Sequence, residues 1–300
     1  MNLRKVYFYN LPEFTKVLNR TRFHKPVEIN PFTIGEISRE AWDFTGFSTR
    51  TVFYTEPVCE GDGADFEKTV REIIGKSKGL FVQIRPQSLL PDEQMQILEN
   101  YGFQRQDHLN AIIPIREPEQ MWSSLERDKQ KRIRQAKEKH NLQIREDSSP
   151  EAIKVFYQML KTLYKGKRHP IKPLQFFENL VNLMPEGVIR LWFVYSGNIP
   201  VTAQLAAFYD KRITALYTAT DVCYRDKHGG DLMIWSLLEY GWNNGYKVFD
   251  FGGGGNPNRP YQPREYKKRF GTEFINVGRF TKPNSFLYSV TEHLYRLVLR

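Results

Sequence analysis

Apolar residues along this chain recur at two spacings, that of helices and that of strands. Proline, serine or glycine marks where several of these patterned segments open or close. In the first half, the patterns predict a helix, a strand, a helix and a strand at residues 63–78, 79–86, 91–103 and 108–115. In the second half, they predict helices at 117–140, 149–167 and 172–184, an antiparallel strand meander at 188–220, a buried helix at 229–245 and a strand at 246–253.

The segment 117–140 carries an apolar stripe on an otherwise charged helix. Its stripe consists of Trp122, Leu125, Ile133 and Ala136, which fall on one face at 100° per residue. We therefore expect one amphipathic helix over this segment, with its stripe against the core.

Two segments of the chain echo one another. EIIGKSKGLFVQIRP (72–86) and EYGWNNGYKVFDFGG (239–253) each read as a helix end, a glycine and a strand stopped by proline or glycine. With strand and helix patterns in both halves, the repeat favours two similar α/β (α+β) subdomains. We place them at residues 1–117 and 118–300.

Composition narrows the class of protein. A chain of 300 residues with 40% apolar residues can fill two cores, and its mean hydropathy of −0.55 is that of a water-soluble chain. The opening MNLRKVYFYNLPEF lacks the apolar centre of a secretion signal, so we expect a cytoplasmic protein. Cys59 and Cys223 have no metal-ligand spacing and are expected to be buried free thiols. The net charge of +10 favours an anionic partner: nucleic acid, a phosphorylated substrate or an anionic membrane face.

Four consecutive glycines, Gly252–Gly255, follow the last predicted strand. A dinucleotide or phosphate loop would need its glycines to turn directly into a helix. Here Asn256 and three prolines within seven residues follow instead, so the pattern excludes such a loop. It predicts a strand end whose backbone turns sharply or is approached closely by another group.

Three motifs in order resemble the FemAB family, the peptidoglycan-bridge aminoacyltransferases, and its relatives in the GNAT superfamily. The resemblance covers roughly residues 70–280. The strand DFGG at 250–253 and the segment YKKRFG at 266–271 resemble the family's D-F/L-G-G and F/Y-K-x-x-F-G motifs. Residues 122–146 resemble its W-x-x-L…R-x-I-x-x-A segment, and 79–115 resemble the end of its first subdomain.

The resemblance implies tandem GNAT-like subdomains with mixed, largely antiparallel sheets flanked by helices. It implies an N-acyltransferase that moves an aminoacyl or acyl group to an amine of a peptidoglycan, polysaccharide or lipid precursor at the inner membrane face. The donor would be aminoacyl-tRNA or an acyl thioester of CoA or a carrier protein, with no tightly bound cofactor and no metal. Lys267 would lie at the donor carbonyl, and Tyr266, Phe270, Gly252 and Gly253 would complete the substrate site.

The chain also departs from the family pattern. It lacks the helical arm inserted in longer members, which weakens the peptidoglycan assignment. The GNAT loop Q/R-x-x-G-x-G/A is missing too, because Arg225 is four residues ahead of Gly229 rather than three. The spacing therefore does not support acetyl-CoA as donor.

Amide formation requires a neutral amine and stabilisation of a tetrahedral oxyanion. The Lys267 ammonium is the candidate stabiliser, although it could equally belong to a solvated basic face with its neighbours. Asp250 could accept the amine proton, orient the loop or cap the glycine turn. No histidine pair or nucleophile motif indicates a hydrolase or a metalloenzyme.

Basic residues and one tyrosine complete the candidates. Residues 127–145 hold eight Lys and Arg against two acids, from which Arg132, Arg134 and Lys137 could contact phosphates of tRNA or precursor. Arg168 is a further phosphate candidate, and Tyr217 could line the acceptor pocket. The competing hypothesis is a catalytically silent basic module that binds RNA or anionic lipid.

Overall fold

A computed structural model describes residues 7–39, 49–59, 61, 63–165 and 171–284. The helices are α1 Pro12–Asn19, α2 Gly63–Lys76, α3 Asp92–Asn100, α4 Pro118–Ser124, α5 Arg127–Arg134, α6 Pro150–Tyr164, α7 Leu174–Leu183, α8 Gly229–Asn243 and α9 Gln262–Lys268. The strands are β1 His24–Asn30, β2 Thr33–Ser38, β3 Arg50–Phe53, β4 Phe81–Ile84, β5 Gln104–Gln106, β6 Leu109–Pro114, β7 Gln143–Glu146, β8 Ile189–Ser196, β9 Ile199–Tyr209, β10 Arg212–Thr220, β11 Val248–Gly255, β12 Glu273–Asn276 and β13 Arg279–Pro283.

The chain divides into two compact units. The first is Met1–His108 with Asn276–Arg300, and its described strands form a sheet in the order β1-β2-β3-β4-β13-β5. Strands β3 and β4 are parallel, whereas β1 and β2, β2 and β3, β4 and β13, and β13 and β5 pair antiparallel. Phe66, Val70 and Ile73 of α2 and Leu98 of α3 are buried in the core of this unit.

The second unit is Leu109–Ile275, and its described strands form a sheet in the order β12-β6-β11-β10-β9-β8-β7. Strands β10 and β11 are parallel, whereas β7 to β10 run antiparallel in sequence and β6 is antiparallel to β11. Helix α8 is buried along most of its length in the core of this unit, as its apolar pattern predicted. The predicted class, α/β with mixed, largely antiparallel sheets flanked by helices, is confirmed.

The boundaries of the two units differ from the predicted ones, which placed a single division between residues 117 and 118. Strand β6 belongs to the second unit because it pairs with β11 over Leu109–Pro114. The segment from Asn276 belongs to the first unit because β13 pairs with both β4 and β5. Such long-range pairings leave no local signal in the sequence.

The two units repeat one order of elements. The first runs β3–α2–β4–α3–β5 and the second runs β10–α8–β11–α9–β12, each with a parallel pair at its start. An antiparallel strand then lies beside the second member of each pair, β13 beside β4 and β6 beside β11. The echoing segments 72–86 and 239–253 fall at equivalent places, the α2–β4 and α8–β11 connections.

Most predicted elements of the second half are present. The meander is β8, β9 and β10, and its second turn carries positive φ at both Asp210 and Lys211, the geometry of a tight type I′ hairpin. Ser149 caps α6 by accepting a hydrogen bond from the Ala152 amide at 3.3 Å. Strands β1 to β3 were not predicted from the sequence.

The single helix expected at 117–140 is wrong in one respect, because the structure breaks it into α4, α5 and a π-helical turn at Gln135–Lys139. The break lies at Leu125, whose ψ of 141° is extended. Its side chain is buried in the core, and the Gln130 side-chain amide donates to the Trp122 and Leu125 carbonyls at the end of α4. The predicted apolar stripe still faces the core.

Candidate active site

The parallel pair β10 and β11 forms a fork. The two strands pair over Arg212–Thr214 and Val248–Asp250, and both continue beyond that pairing, to Thr220 and Gly255. A bulge at Ala215/Tyr217 in the pairing of β10 with β9 bends β10 at this point. The fork therefore exposes backbone groups at the carboxyl ends of two neighbouring strands, where ligands of α/β sheets commonly bind.

The glycines form the second half of β11, which ends at Gly255, two residues beyond the predicted end. Gly252 and Gly255 have φ of 71° and 74°, which a residue with a Cβ adopts only with strain. A Cβ on Gly254 would meet Leu109 and Phe274 at 3.0–3.2 Å, whereas one on Gly252 would have no heavy atom of the described residues within 4 Å. The glycine strand, Gly252–Gly255, thus has its open face at Gly252.

Lys267 lies at the end of α9 with its ammonium on the glycine strand. Its Nζ donates to the Phe251 carbonyl at 2.6 Å and to the Gly253 carbonyl at 2.9 Å. Burial lowers the pKa of Lys267 to about 8, against the influence of Asp250, which raises it. The structure thus brings Lys267, Gly253 and Asp250 together, three residues predicted from the sequence.

Asp250 is buried, and its two carboxylate oxygens are occupied. One accepts from the Gly252 amide at 2.7 Å, and the other pairs with the Arg212 guanidinium at 2.9 Å. Of the roles considered, these contacts favour orienting the glycine strand over accepting a proton from substrate.

Tyr266 presents an exposed ring but a tethered hydroxyl. The hydroxyl donates to Asp231 Oδ1 at 2.8 Å, and burial followed by the Asp231 charge raises the pKa of Tyr266 well above its ordinary value. Phe270 is fully buried, with its ring centre 5.7 Å from that of Phe251 and 5.3 Å from that of Tyr266. The sequence predicted a substrate contact for Phe270, whereas the structure gives it a packing position.

Tyr217 lies on β10 beyond the pairing with β11. Its half-buried ring packs edge-on against Phe177 of α7, with ring centres 5.1 Å apart. The buried Gln204 amide donates to the Tyr217 carbonyl at 3.2 Å and to the Leu205 carbonyl at 2.9 Å. Gln204 therefore holds the bulged backbone of β10 at the fork.

The basic candidates each have a partner within the chain. Arg132 pairs with Asp128 at 2.9 Å, Lys137 pairs with Glu239 at 3.4 Å, and the Arg134 guanidinium lies 5.3 Å from the Trp122 ring centre. Arg132 also lies near the start of α8. Burial lowers the pKa of His228 there, and the charge of Arg132 lowers it further. Arg168 lies outside the described residues.

Several buried polar residues near the site were not predicted from the sequence. Lys129 is fully buried and bonds Asp231 at 2.6 Å. The burial of Lys129 could have been predicted, because Lys129 is four residues before Ile133 and therefore lies on the apolar stripe. Asn110 is also buried, on β6 opposite Gly253, and its Nδ2 finds no hydrogen-bond partner in the described part of the chain.

The first turn of α8 begins at Gly229 and Gly230, beside the fork. A Cβ on Gly229 would meet the Thr202 hydroxyl at 2.8 Å, and one on Gly230 would stand 3.6 Å from the Tyr266 hydroxyl. The dipole at the N-terminus of a 15-residue helix favours an anionic group. No cluster of three or more His, Cys, Asp or Glu side chains suited to a metal occurs among the described residues.

A family comparison identifies the second unit. Residues 123–268 match the model of the acetyltransferase (GNAT) domain. This part of the chain is similar to a GNAT acetyltransferase domain. The match spans α5, the fork, α8 and Lys267, and it confirms the predicted enzyme class, an acyltransferase of the GNAT superfamily.

Solved structures share the fold of the whole chain at low identity. FemX is 15% identical to this chain, with a TM-score of 0.66. The match covers 97% of this chain and 94% of the FemX chain. L-PGS from Bacillus licheniformis is 13% identical with a TM-score of 0.62, covering 95% and 92%. The C-terminal DUF2156 domain of a putative lysylphosphatidylglycerol synthetase from Agrobacterium fabrum is 10% identical with a TM-score of 0.60, covering 94% and 91%.

The FemX likeness confirms the predicted tandem GNAT-like fold. A comparison with curated proteins finds no match. No helix in the described ranges is long and apolar enough to span a bilayer.

Proposed function

We propose that this acyltransferase forms an amide by moving an aminoacyl or acyl group onto an amine of an anionic cell-envelope precursor. The observation that carries the proposal is the Lys267 ammonium, held on the glycine strand at the fork. The similarity to FemX and to L-PGS supports an envelope acceptor.

Lys267 would act by electrostatic stabilisation. The neutral acceptor amine attacks the donor carbonyl carbon, and the carbonyl oxygen becomes an oxyanion within reach of the Lys267 ammonium. The C–O bond of an ester, or the C–S bond of a thioester, then breaks. The leaving oxygen or sulfur takes the proton released by the amine, so no dedicated base is required.

The donor is proposed to lie along the open face of Gly252, with its anionic part toward the first turn of α8. Gly252 leaves space beside the strand, and the helix start offers amides and the nearby Arg132. Aminoacyl-tRNA is the preferred donor because the net charge is +10, and an acyl thioester is the alternative. The acceptor would act at the cytoplasmic face of the membrane.

Lys267→Met tests the proposal. Removing one oxyanion donor typically costs about 10²–10³-fold in kcat, and we expect a loss of that size in amide formation from charged tRNA or acyl-CoA pools. Lys268→Met, the exposed neighbour on the same helix, is the matched control and should retain the wild-type rate.

Equal turnover of Lys267→Met and wild type would contradict the assigned site. Binding of tRNA or anionic vesicles without transfer from either donor pool would favour the catalytically silent module. Transfer from acyl-CoA alone would overturn the preference for tRNA.

A further inference from the structure

Three helices meet at one buried ion pair in the second unit. The ammonium of Lys129, on α5, lies 2.6 Å from Asp231 Oδ1 in the first turn of α8. The same carboxylate oxygen accepts the hydroxyl of Tyr266, on α9, at 2.8 Å. The Lys129 ammonium also lies 4.0 Å from the Tyr266 ring centre and 4.8 Å from that of Phe270.

A fully buried lysine is costly to keep in a core. Burial lowers the pKa of Lys129, and the Asp231 charge opposes that shift. Pairs of this kind seldom stabilise a fold more than apolar residues of similar size would, and their best-attested use is to fix one arrangement of the surrounding elements. Here the element held in place is α9, because the hydroxyl of its Tyr266 binds Asp231.

Helix α9 has little structure of its own to hold it. It spans seven residues, its first turn contains Pro263, and its N-terminus has no side-chain cap. Helices this short are not stable alone in water. Its position therefore depends on side-chain anchors, and the Tyr266 hydroxyl is the anchor adjacent to Lys267.

We propose that Lys129 and Asp231 are positioning residues for Lys267, acting through Tyr266 to hold α9 so that the ammonium rests on the glycine strand. The assignment rests on the proposed function of Lys267, which alone touches the reacting atoms. Lys129 and Asp231 reach that site through two hydrogen bonds and one peptide unit.

The proposal predicts a specific change at Lys267. Charged groups face α9 and its C-terminal cap, Arg269, from the elements packed around it. They are Asp250 from β11, Asp231 from α8, Lys129, Asp128 and Arg132 from α5, and Glu126 just before α5. If the hydrogen bond between Tyr266 and Asp231 is removed, we expect α9 to move away from β11 and water to reach the Lys267 ammonium. The pKa of Lys267 then rises from about 8 toward the ordinary lysine value of about 10.4.

The experiment measures that pKa without substrate. Lysines are reductively methylated with ¹³C-formaldehyde, and the Lys267 signal is assigned by its loss in Lys267→Arg and titrated by NMR. We expect Tyr266→Phe and Asp231→Asn to raise the Lys267 pKa by about one unit or more. Glu239→Gln is the matched control, since it removes a carboxylate of α8 that pairs with Lys137 and does not contact α9.

A second variant keeps the test decisive if a single substitution unfolds the protein. Lys129→Met with Asp231→Leu replaces the whole ion pair by apolar groups, which folds tolerate far better than one unpaired charge. It should also raise the Lys267 pKa. An unchanged pKa in the folded variants would overturn the positioning role, whereas wild-type turnover by Lys267→Met would refute the proposed function and leave the positioning result intact.

Discussion

The ammonium of Lys267 can stabilise an oxyanion only while it is protonated. Because burial lowers its pKa to about 8, the charged form is lost as the pH rises through that value. We predict an alkaline fall in kcat/KM for transfer with an apparent pKa near 8, following an acidic limb on which the acceptor amine becomes neutral. The pH–rate profile measures both limbs.

Lys267→Arg separates Lys267 from other groups that titrate near pH 8. A guanidinium stays charged at all pH values of the assay, so the alkaline limb should disappear even if the rate is lower. Persistence of the same limb in Lys267→Arg would assign it to another residue.

At the scale of single residues, the sequence predicted the candidate Lys267, which belongs to a motif. It did not predict the buried residues around it, which belong to none. Lys267 was found because it lies in the Y-K-x-x-F-G frame. Lys129 was counted among eight basic residues, and its burial depends on Asp231, which lies 102 positions later in the chain. Asn110 was missed for the same reason, because its neighbour is Gly253.

At the scale of elements, the glycine strand is the part of β11 on which the proposed chemistry depends. Gly252 combines a positive φ with an open face, so a side chain there would both strain the backbone and occupy the space assigned to the donor. We predict that Gly252→Ala lowers stability by about 1–2 kcal/mol and reduces transfer at least tenfold, measured by urea unfolding and by kcat/KM.

Gly197→Ala is the control for backbone strain. Gly197 has a φ of 61° in the β8–β9 turn, and a Cβ there would likewise have no described heavy atom within 4 Å. It should lose a similar amount of stability and keep its transfer rate. Equal losses of activity in both variants would show that Gly252 acts through stability alone.

Elements with local signals were predicted well, and elements set by distant contacts were not. The β9–β10 hairpin and α8 follow from turn residues and apolar pattern. The break at Leu125 does not, because the apolar stripe of 117–140 continues across it. The extended backbone there is fixed by the core around Leu125 and by the Gln130 amide.

At the scale of the whole molecule, the repeated order of elements places the chemistry in one unit. Helices α3 and α9 are equivalent, and each is followed by an aromatic residue and a glycine of positive φ, at Gly102 and Gly271. Counting back from these glycines, the position of Lys267 is taken by Leu98 in the first unit, where it is buried. The first unit therefore repeats the order of elements of the second, but it has a leucine where the second has the Lys267 ammonium.

The net charge of +10 yields a prediction that concerns the donor. Binding of a nucleic acid releases condensed counterions, so its affinity falls steeply with salt, by about 0.7–0.9 logarithmic units per phosphate contact for each tenfold rise in salt. If aminoacyl-tRNA is the donor and about five phosphates are contacted, its KM should rise by about 10²-fold between 50 and 200 mM KCl. An acyl thioester, with fewer phosphates, should show a much smaller rise.

Steady-state kinetics at four salt concentrations, with circular dichroism to verify that the fold persists, provides the measurement. Arg134→Ala adds a second test within the same series, because loss of one phosphate contact should reduce the salt slope by about one unit. A KM for charged tRNA that does not change with salt would contradict phosphate contacts by the basic residues, whereas transfer from acyl thioesters alone would overturn tRNA as the donor.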